Sequence, residues 1–120
     1  MCKIKGKYEG ETFTGYKCVS KRNGRYYSYW TGVEYVVGKV KSRNVDNTGF
    51  CKQTGMLVSF NKSMKGYTGV FVELLDAIRE KCSLANCIIR MTISGDLKLA
   101  EYIYDGDIVI GKEILSIEEV

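Results

Sequence analysis

Alternating apolar and polar positions dominate the chain, and the clearest pair of such stretches flanks Asn23-Gly24. The two stretches cover residues 15–22 and 25–32. Asn-Gly favours a type I′ turn, because both central residues of that turn take positive φ. The pattern therefore predicts a β-hairpin with a two-residue loop, whose register places Lys21 opposite Tyr26.

The alternation also sorts the hairpin side chains onto two faces. The face that we expect to enter the core carries Tyr16, Cys18, Ser20, Tyr27 and Tyr29. The opposite face carries Lys17, Val19, Lys21, Tyr26, Ser28 and Trp30. Lysine stems beside rings on this second face indicate either a platform on which bases stack or lysines packed over exposed rings.

Period-two patterns continue through most of the remaining chain. They predict strands at 32–40, with a kink at Gly38, and at 50–60, 87–94, 97–104 and 107–117. Polar residues and turn formers predict loops at 42–49 and 61–68, and turns at Gly95-Asp96 and Asp105-Gly106. These elements indicate a mostly antiparallel sheet.

One segment, from residue 69 to about residue 84, has helical periodicity. The predicted helix face consists of Phe71, Leu74, Leu75, Ile78 and Cys82. Thr68 is the predicted N-cap. The expected fold class is α+β: a curved antiparallel sheet or split barrel of six to seven strands, with one main helix packed on it.

Length and composition indicate one soluble globular domain over residues 1–120. The chain has 45% apolar and 27% charged residues. No apolar run approaches the roughly 20 residues of a membrane span, so we expect no span and no signal peptide. Five cysteines without a Cys-x-x-Cys pair favour buried thiols in a reduced cytoplasm over disulfides or a zinc site at Cys82 and Cys87.

The chain contains no histidine, which removes the usual general base and the commonest zinc ligand. The segment 106–112 (GDIVIGK) resembles a phosphate-binding loop, but Glu113 replaces the final Ser or Thr and the interior favours a strand. Asp105, Asp107 and Glu113 are more typical of solvated turns than of an acid pair. We therefore expect no enzyme activity, cofactor or metal.

Basic and aromatic residues concentrate in the first third of the chain. Residues 1–43 hold ten Lys or Arg and three Glu, a net charge of +7, and eight of the fourteen aromatic residues. Such a mixture suits a ligand with phosphates and bases, because cations neutralise phosphates and rings stack on bases. The candidate ligand-binding residues are Lys17, Lys21, Arg22, Arg25, Tyr26, Tyr27 and Trp30.

The order of the elements resembles a group of small bacteriophage proteins whose fold is similar to ADP-ribosyltransferase and RNA-phosphotransferase domains. The segments that carry the resemblance are GYKCVSKRNGRYYSYWTG, GVEYVVGKV, GMLVSF, FVELLDAIREKC, CIIRMTISGDL and DIVIGKEILSIEEV. The catalytic histidines of those enzymes have no counterpart here. The resemblance implies a retained nucleotide cleft without the chemistry.

Phage proteins of this size often act in counter-defence, and those that resemble anti-CBASS nucleotide sponges sequester cyclic nucleotide signals. The resemblance therefore implies a counter-defence protein that sequesters a cyclic dinucleotide or an ADP-ribose derivative in the host cytoplasm. A small chain that encloses such a ligand would benefit from a homo-oligomer. One alternative is an anti-CRISPR-like inhibitor of a host defence protein such as a nuclease effector, because Tyr, Trp and Arg also anchor protein interfaces. Another alternative is a nucleic-acid-binding module.

Overall fold

The computed structural model describes residues 3–29, 32–40, 66–81, 83, 85–102 and 106–120. The elements are β1 (Lys3–Lys7), β2 (Thr12–Arg22), β3 (Arg25–Tyr27), β4 (Gly38–Lys39), β5 (Thr68–Phe71), α1 (Leu74–Arg79), β6 (Cys87–Ser94), β7 (Lys98–Tyr102), β8 (Gly106–Gly111) and β9 (Glu113–Glu119). The predicted strand at 50–60, the predicted loop at 42–49 and Trp30 lie outside the described residues. Within these ranges, no helix is long and apolar enough to cross a membrane.

The strands form one antiparallel sheet in the order β1-β7-β8-β5-β2-β6-β9-β4, and β3 pairs with the far end of β2. The α+β class is confirmed, but the expected six to seven strands are too few, because the described residues contain nine. The predicted strand at 107–117 divides at Lys112 into β8 and β9, and β1 was not predicted. Among the described residues, the sheet does not close into a barrel.

The Asn23-Gly24 hairpin forms in the predicted register. Lys21 pairs with Tyr26, and Arg22 pairs with Arg25. Asn23 and Gly24 have φ of 52° and 74°, the positive values that a type I′ turn requires. Local turn chemistry therefore determines this part of the fold.

The predicted assignment of the hairpin faces is wrong. Val19, expected on the outer face, is fully buried and belongs to the main hydrophobic core. Lys17 and Ser28 on the same predicted face are also buried. Cys18 on the opposite face is buried too, with its Sγ near the Ala85 carbonyl oxygen. Both faces of β2 are covered at its centre, so alternation alone could not identify one core face.

The core lies mainly on one face of the sheet. Its buried members are Val19, Tyr35, Val70, Cys87, Ile89, Met91, Ile93, Leu97, Val109 and Ile114. Strand β6 supplies four of them at alternate positions, Cys87, Ile89, Met91 and Ile93, because successive side chains of a strand point to opposite faces. Phe71 pairs with Ile108 on the other face, where both are buried. The central strands are therefore held by apolar packing from two sides.

The helix is shorter than predicted, and residues 68–71 form β5 instead of its first turn. Strand β5 pairs with β8, so Phe71 faces Ile108 across the sheet. Glu73 is the N-cap and makes no side-chain capping bond, so the predicted N-cap is wrong. The helix buries Asp76 and Ala77 and leaves Leu75 and Ile78 exposed. Pairing with a distant strand outweighs local helical periodicity in this segment.

Candidate functional site

Lys17, the first of the predicted site residues, extends into the protein from the middle of β2. Only 8% of the residue is exposed, and its Nζ donates a hydrogen bond of 2.8 Å to the Gly69 carbonyl oxygen. The ammonium also lies 5.3 Å from the centre of the Tyr35 ring. These contacts satisfy the charge inside the protein and connect β2 to β5.

Lys21 and Tyr26, which face each other across the hairpin, share one acceptor on the last strand. Lys21 Nζ lies 2.6 Å from Glu119 Oε1, and the Tyr26 hydroxyl donates to the same oxygen over 3.3 Å. The hydrogen bond with Glu119 raises the pKa of Lys21, and the same bond lowers the pKa of Glu119. Burial, followed by the bond to Glu119, raises the pKa of Tyr26. All three groups therefore keep their usual charge states at neutral pH.

The two arginines at the hairpin tip each lie beside a partner. The Arg22 guanidinium stacks over the Tyr27 ring, 4.2 Å from its centre. Arg25 Nη1 lies 3.9 Å from Glu34 Oε1, and 66% of the Arg25 side chain is exposed. The Arg22–Tyr27 stack presents a flat cationic surface, the kind of group on which nucleobases stack.

A surface groove of about 350 Å³ runs beside Lys21, between α1, β6 and the end of β9. Its lining residues are Lys21, Leu74, Ile78, Lys81, Asn86, Cys87, Ile88, Glu119 and Val120. The Asn86 side-chain oxygen accepts a hydrogen bond from the backbone N–H of Lys21, which fixes the hairpin against this wall. The groove thus combines two ammonium groups and one carboxylate with aliphatic walls.

Cys87 and Cys18 are the two cysteines among the described residues, and both are buried free thiols, as the sequence predicted. Cys18 Sγ lies 3.1 Å from the Ala85 carbonyl oxygen. Burial raises the pKa of the Cys87 thiol, which keeps it protonated and unreactive. The described ranges contain no group of three or more residues suited to hold a metal ion.

No protein-family model, curated protein or solved structure matches this chain. The site must therefore be interpreted from its own geometry. Of the seven predicted site residues, the structure places Lys21 and Tyr26 together on one face of the hairpin. Arg22 stacks on Tyr27 on the opposite face, because successive side chains of a strand alternate between faces. Trp30 lies outside the described residues.

Sequence reasoning missed the groove residues that α1 and β9 contribute. Lys81 and Glu119 are distant from the hairpin in sequence and carry no motif. Helical periodicity did single out Leu74 and Ile78 in the sequence, but it predicted them as core residues of the helix. Their place in the groove follows from the short helix, which only the tertiary structure reveals.

Proposed function

We propose that this protein binds and sequesters a small nucleotide in the groove beside the hairpin, without changing the ligand chemically. The volume and the lining of the groove are the observations that support this proposal. Its volume of about 350 Å³ lies within the range of roughly 300–1,000 Å³ that is usual for small-molecule sites. It joins cationic groups, which suit phosphates, to aliphatic walls, which suit the flat face of a base.

In this proposal, Lys21 and Lys81 contact the phosphates, because both line the groove. The Arg22–Tyr27 stack is left out of this contact set, because it lies on the opposite face of the hairpin from Lys21. Lys17 is left out of the contact set, because its ammonium already binds the Gly69 carbonyl oxygen. Trp30 stays a sequence-based candidate for stacking.

The biological role that we propose is phage counter-defence, with the protein acting in the cytoplasm of the host cell. The ligand would be an immune signal, either a cyclic dinucleotide or an ADP-ribose derivative. The sequence resemblance to small phage proteins supports this role, and stoichiometric capture needs no catalytic residue. A homo-oligomer would allow a second copy to cover the open side of the groove.

The test is isothermal titration of the full chain against cyclic dinucleotides and ADP-ribose derivatives. We expect one ligand to bind, and Lys21→Gln to weaken its binding about tenfold, because a charge-assisted contact to phosphate is lost. Lys39→Gln removes the same charge from an exposed position on β4 and should change the affinity less than twofold. Absence of heat from every ligand at tens of micromolar protein would refute the proposal.

A protein partner is the second candidate, and the exposed face of α1 favours it. Leu75 is 55% exposed and Ile78 is 45% exposed, and Ile78 also lines the groove. Exposed aliphatic side chains beside charged ones are typical of interaction surfaces. If this candidate is correct, Leu75→Ser abolishes capture of a host protein in a pull-down, whereas nucleotide titrations give no heat.

A further inference from the structure

A second group of charged side chains surrounds Tyr67, at the turn between β6 and β7. Tyr67 is 4% exposed, and its hydroxyl donates a hydrogen bond to the Asp96 carboxylate. The Nζ atoms of Lys98 and Lys112 each lie 5.3 Å from the centre of the Tyr67 ring. Lys98 Nζ also lies 3.9 Å from Asp96 Oδ2. Of these residues, only Lys112 figured in a sequence motif, as the last residue of the phosphate-loop-like segment 106–112 that was set aside.

Backbone geometry brings these groups together. Gly95 and Asp96 have φ of 87° and 48°, so the chain reverses tightly between β6 and β7. The Lys112 N–H donates to the Ser94 carbonyl oxygen over 2.9 Å and to the Gly95 carbonyl oxygen over 3.1 Å, which holds the start of β9 against the turn. A Cβ at Gly95 would lie 3.2 Å from Lys112 Cβ, so glycine allows this close approach.

Cations outnumber anions in this group. Lys7, Lys98 and Lys112 all act electrostatically on Asp96, and the hydrogen bond from Tyr67 is the main cause of its lowered pKa. Three ammonium groups therefore share one ionised carboxylate. Neither Lys7 nor Lys112 forms an ion pair with a carboxylate of the described residues. The local excess of positive charge is two.

We propose that the turn cluster, defined as Lys7, Tyr67, Asp96, Lys98 and Lys112, binds a phosphate group of a small anion such as pyrophosphate. Lysine ammonium groups bind phosphate as point charges, and a doubly charged group matches the local excess. The Tyr67 ring is covered by protein and by the two lysines, so it offers no face to a base. The site therefore recognises the phosphate and not the nucleoside.

The turn cluster and the hairpin groove lie at opposite ends of β2. Thr12 pairs with Ser94, immediately before the Gly95-Asp96 turn, whereas Lys21 lies at the hairpin end of the same strand. The nine residue steps from Thr12 to Lys21 correspond to roughly 30 Å at about 3.3 Å per residue. This inference does not depend on the proposed function, and separate variants test the two sites.

The experiment is a titration of the full chain with sodium pyrophosphate at low ionic strength, followed by calorimetry and by amide NMR. We expect pyrophosphate to shift the Gly95 and Asp96 amide signals and Lys112→Gln to weaken binding about tenfold. Lys98→Gln should weaken binding similarly. Lys39→Gln, an exposed lysine on β4, is the control and should change the affinity less than twofold.

Two results would overturn this inference. The first is no binding of pyrophosphate by the unaltered chain. The second is an equal loss of affinity in Lys112→Gln and Lys39→Gln, which would indicate diffuse attraction by net charge. Lys112 is exposed, so its variant should fold, and a thermal melt monitored by circular dichroism checks this. If Lys21→Gln leaves nucleotide binding unchanged, that result contradicts the proposed groove site and does not affect the turn cluster.

Discussion

Tyr67 is a buried phenol whose proton is held more tightly in the folded chain than in the unfolded one. Burial, followed by the hydrogen bond to Asp96, raises its pKa well above the ordinary value near 10. Above about pH 10 the unfolded chain loses this proton while the folded chain keeps it. The stabilisation that this phenol contributes is therefore fully present below about pH 10. It is lost as the pH rises further, toward the raised pKa of the folded state.

Tyr67→Phe should flatten this alkaline loss of stability, because the titrating group is gone. At pH 7 the variant should be destabilised by about 1.5–3 kcal/mol, since it loses one hydrogen bond to a carboxylate. Urea unfolding at pH 7, 9 and 11 measures both effects. Tyr8→Phe, whose ring packs on Phe13, is the control for loss of another hydroxyl. If the free energy of unfolding depends on pH in the same way in the unaltered chain and in Tyr67→Phe, Tyr67 is not the group that causes the alkaline loss of stability.

Single residues were predictable where local chemistry decides their conformation. Asn23 and Gly24 took positive φ as expected, because few other residues tolerate it. Lys17 is the opposite case: its side chain lies inside the protein, where the Gly69 carbonyl accepts its hydrogen bond. That acceptor is 52 positions away in the sequence, so no local pattern could identify it.

Elements were predictable when their pattern was strictly alternating. Strand β6 has the bounds that the sequence predicted, and its buried positions alternate without exception. The helix was mispredicted at its start because residues 68–71 pair with β8. The groove beside α1 follows from that shorter helix, so it was not predictable either. Elements that depend on a distant partner are poorly defined by periodicity alone.

Gly15 determines how closely β2 and β5 approach. A Cβ at this position would lie 2.5 Å from the Phe71 carbonyl oxygen and 2.5 Å from Val70 Cγ2. Gly15→Ala should therefore force the strands apart and lower the free energy of unfolding by about 1–3 kcal/mol. Denaturant unfolding measures this, with Thr12→Ala on the exposed end of the same strand as a control within about 0.5 kcal/mol. Equal stability of Gly15→Ala and the unaltered chain would show that the strands can adjust.

At the scale of the whole molecule, folding reduces the charge asymmetry that the sequence shows. The last strand, β9, returns acidic residues to the basic first third of the chain, and Glu119 pairs with Lys21 from 98 positions away. Glu118 similarly pairs with Arg90 on the neighbouring strand β6. A net charge computed from sequence segments therefore overstates the basic character of the hairpin surface. The carboxylate of Glu119 would compete with a ligand phosphate for Lys21.

Removing that carboxylate should strengthen the binding of an anionic ligand in the groove. In Glu119→Gln, Lys21 loses an exposed ion pair that competes with the ligand, and affinity for a bound nucleotide should rise about two- to fivefold. Glu118→Gln is the matched control, because Glu118 and Arg90 also pair at 2.6 Å and neither lines the groove. Calorimetric titration of both variants with the nucleotide measures this difference in affinity. If Glu119→Gln weakens binding as strongly as Lys21→Gln, the carboxylate positions Lys21 or contacts the ligand itself, and the competition described here does not occur.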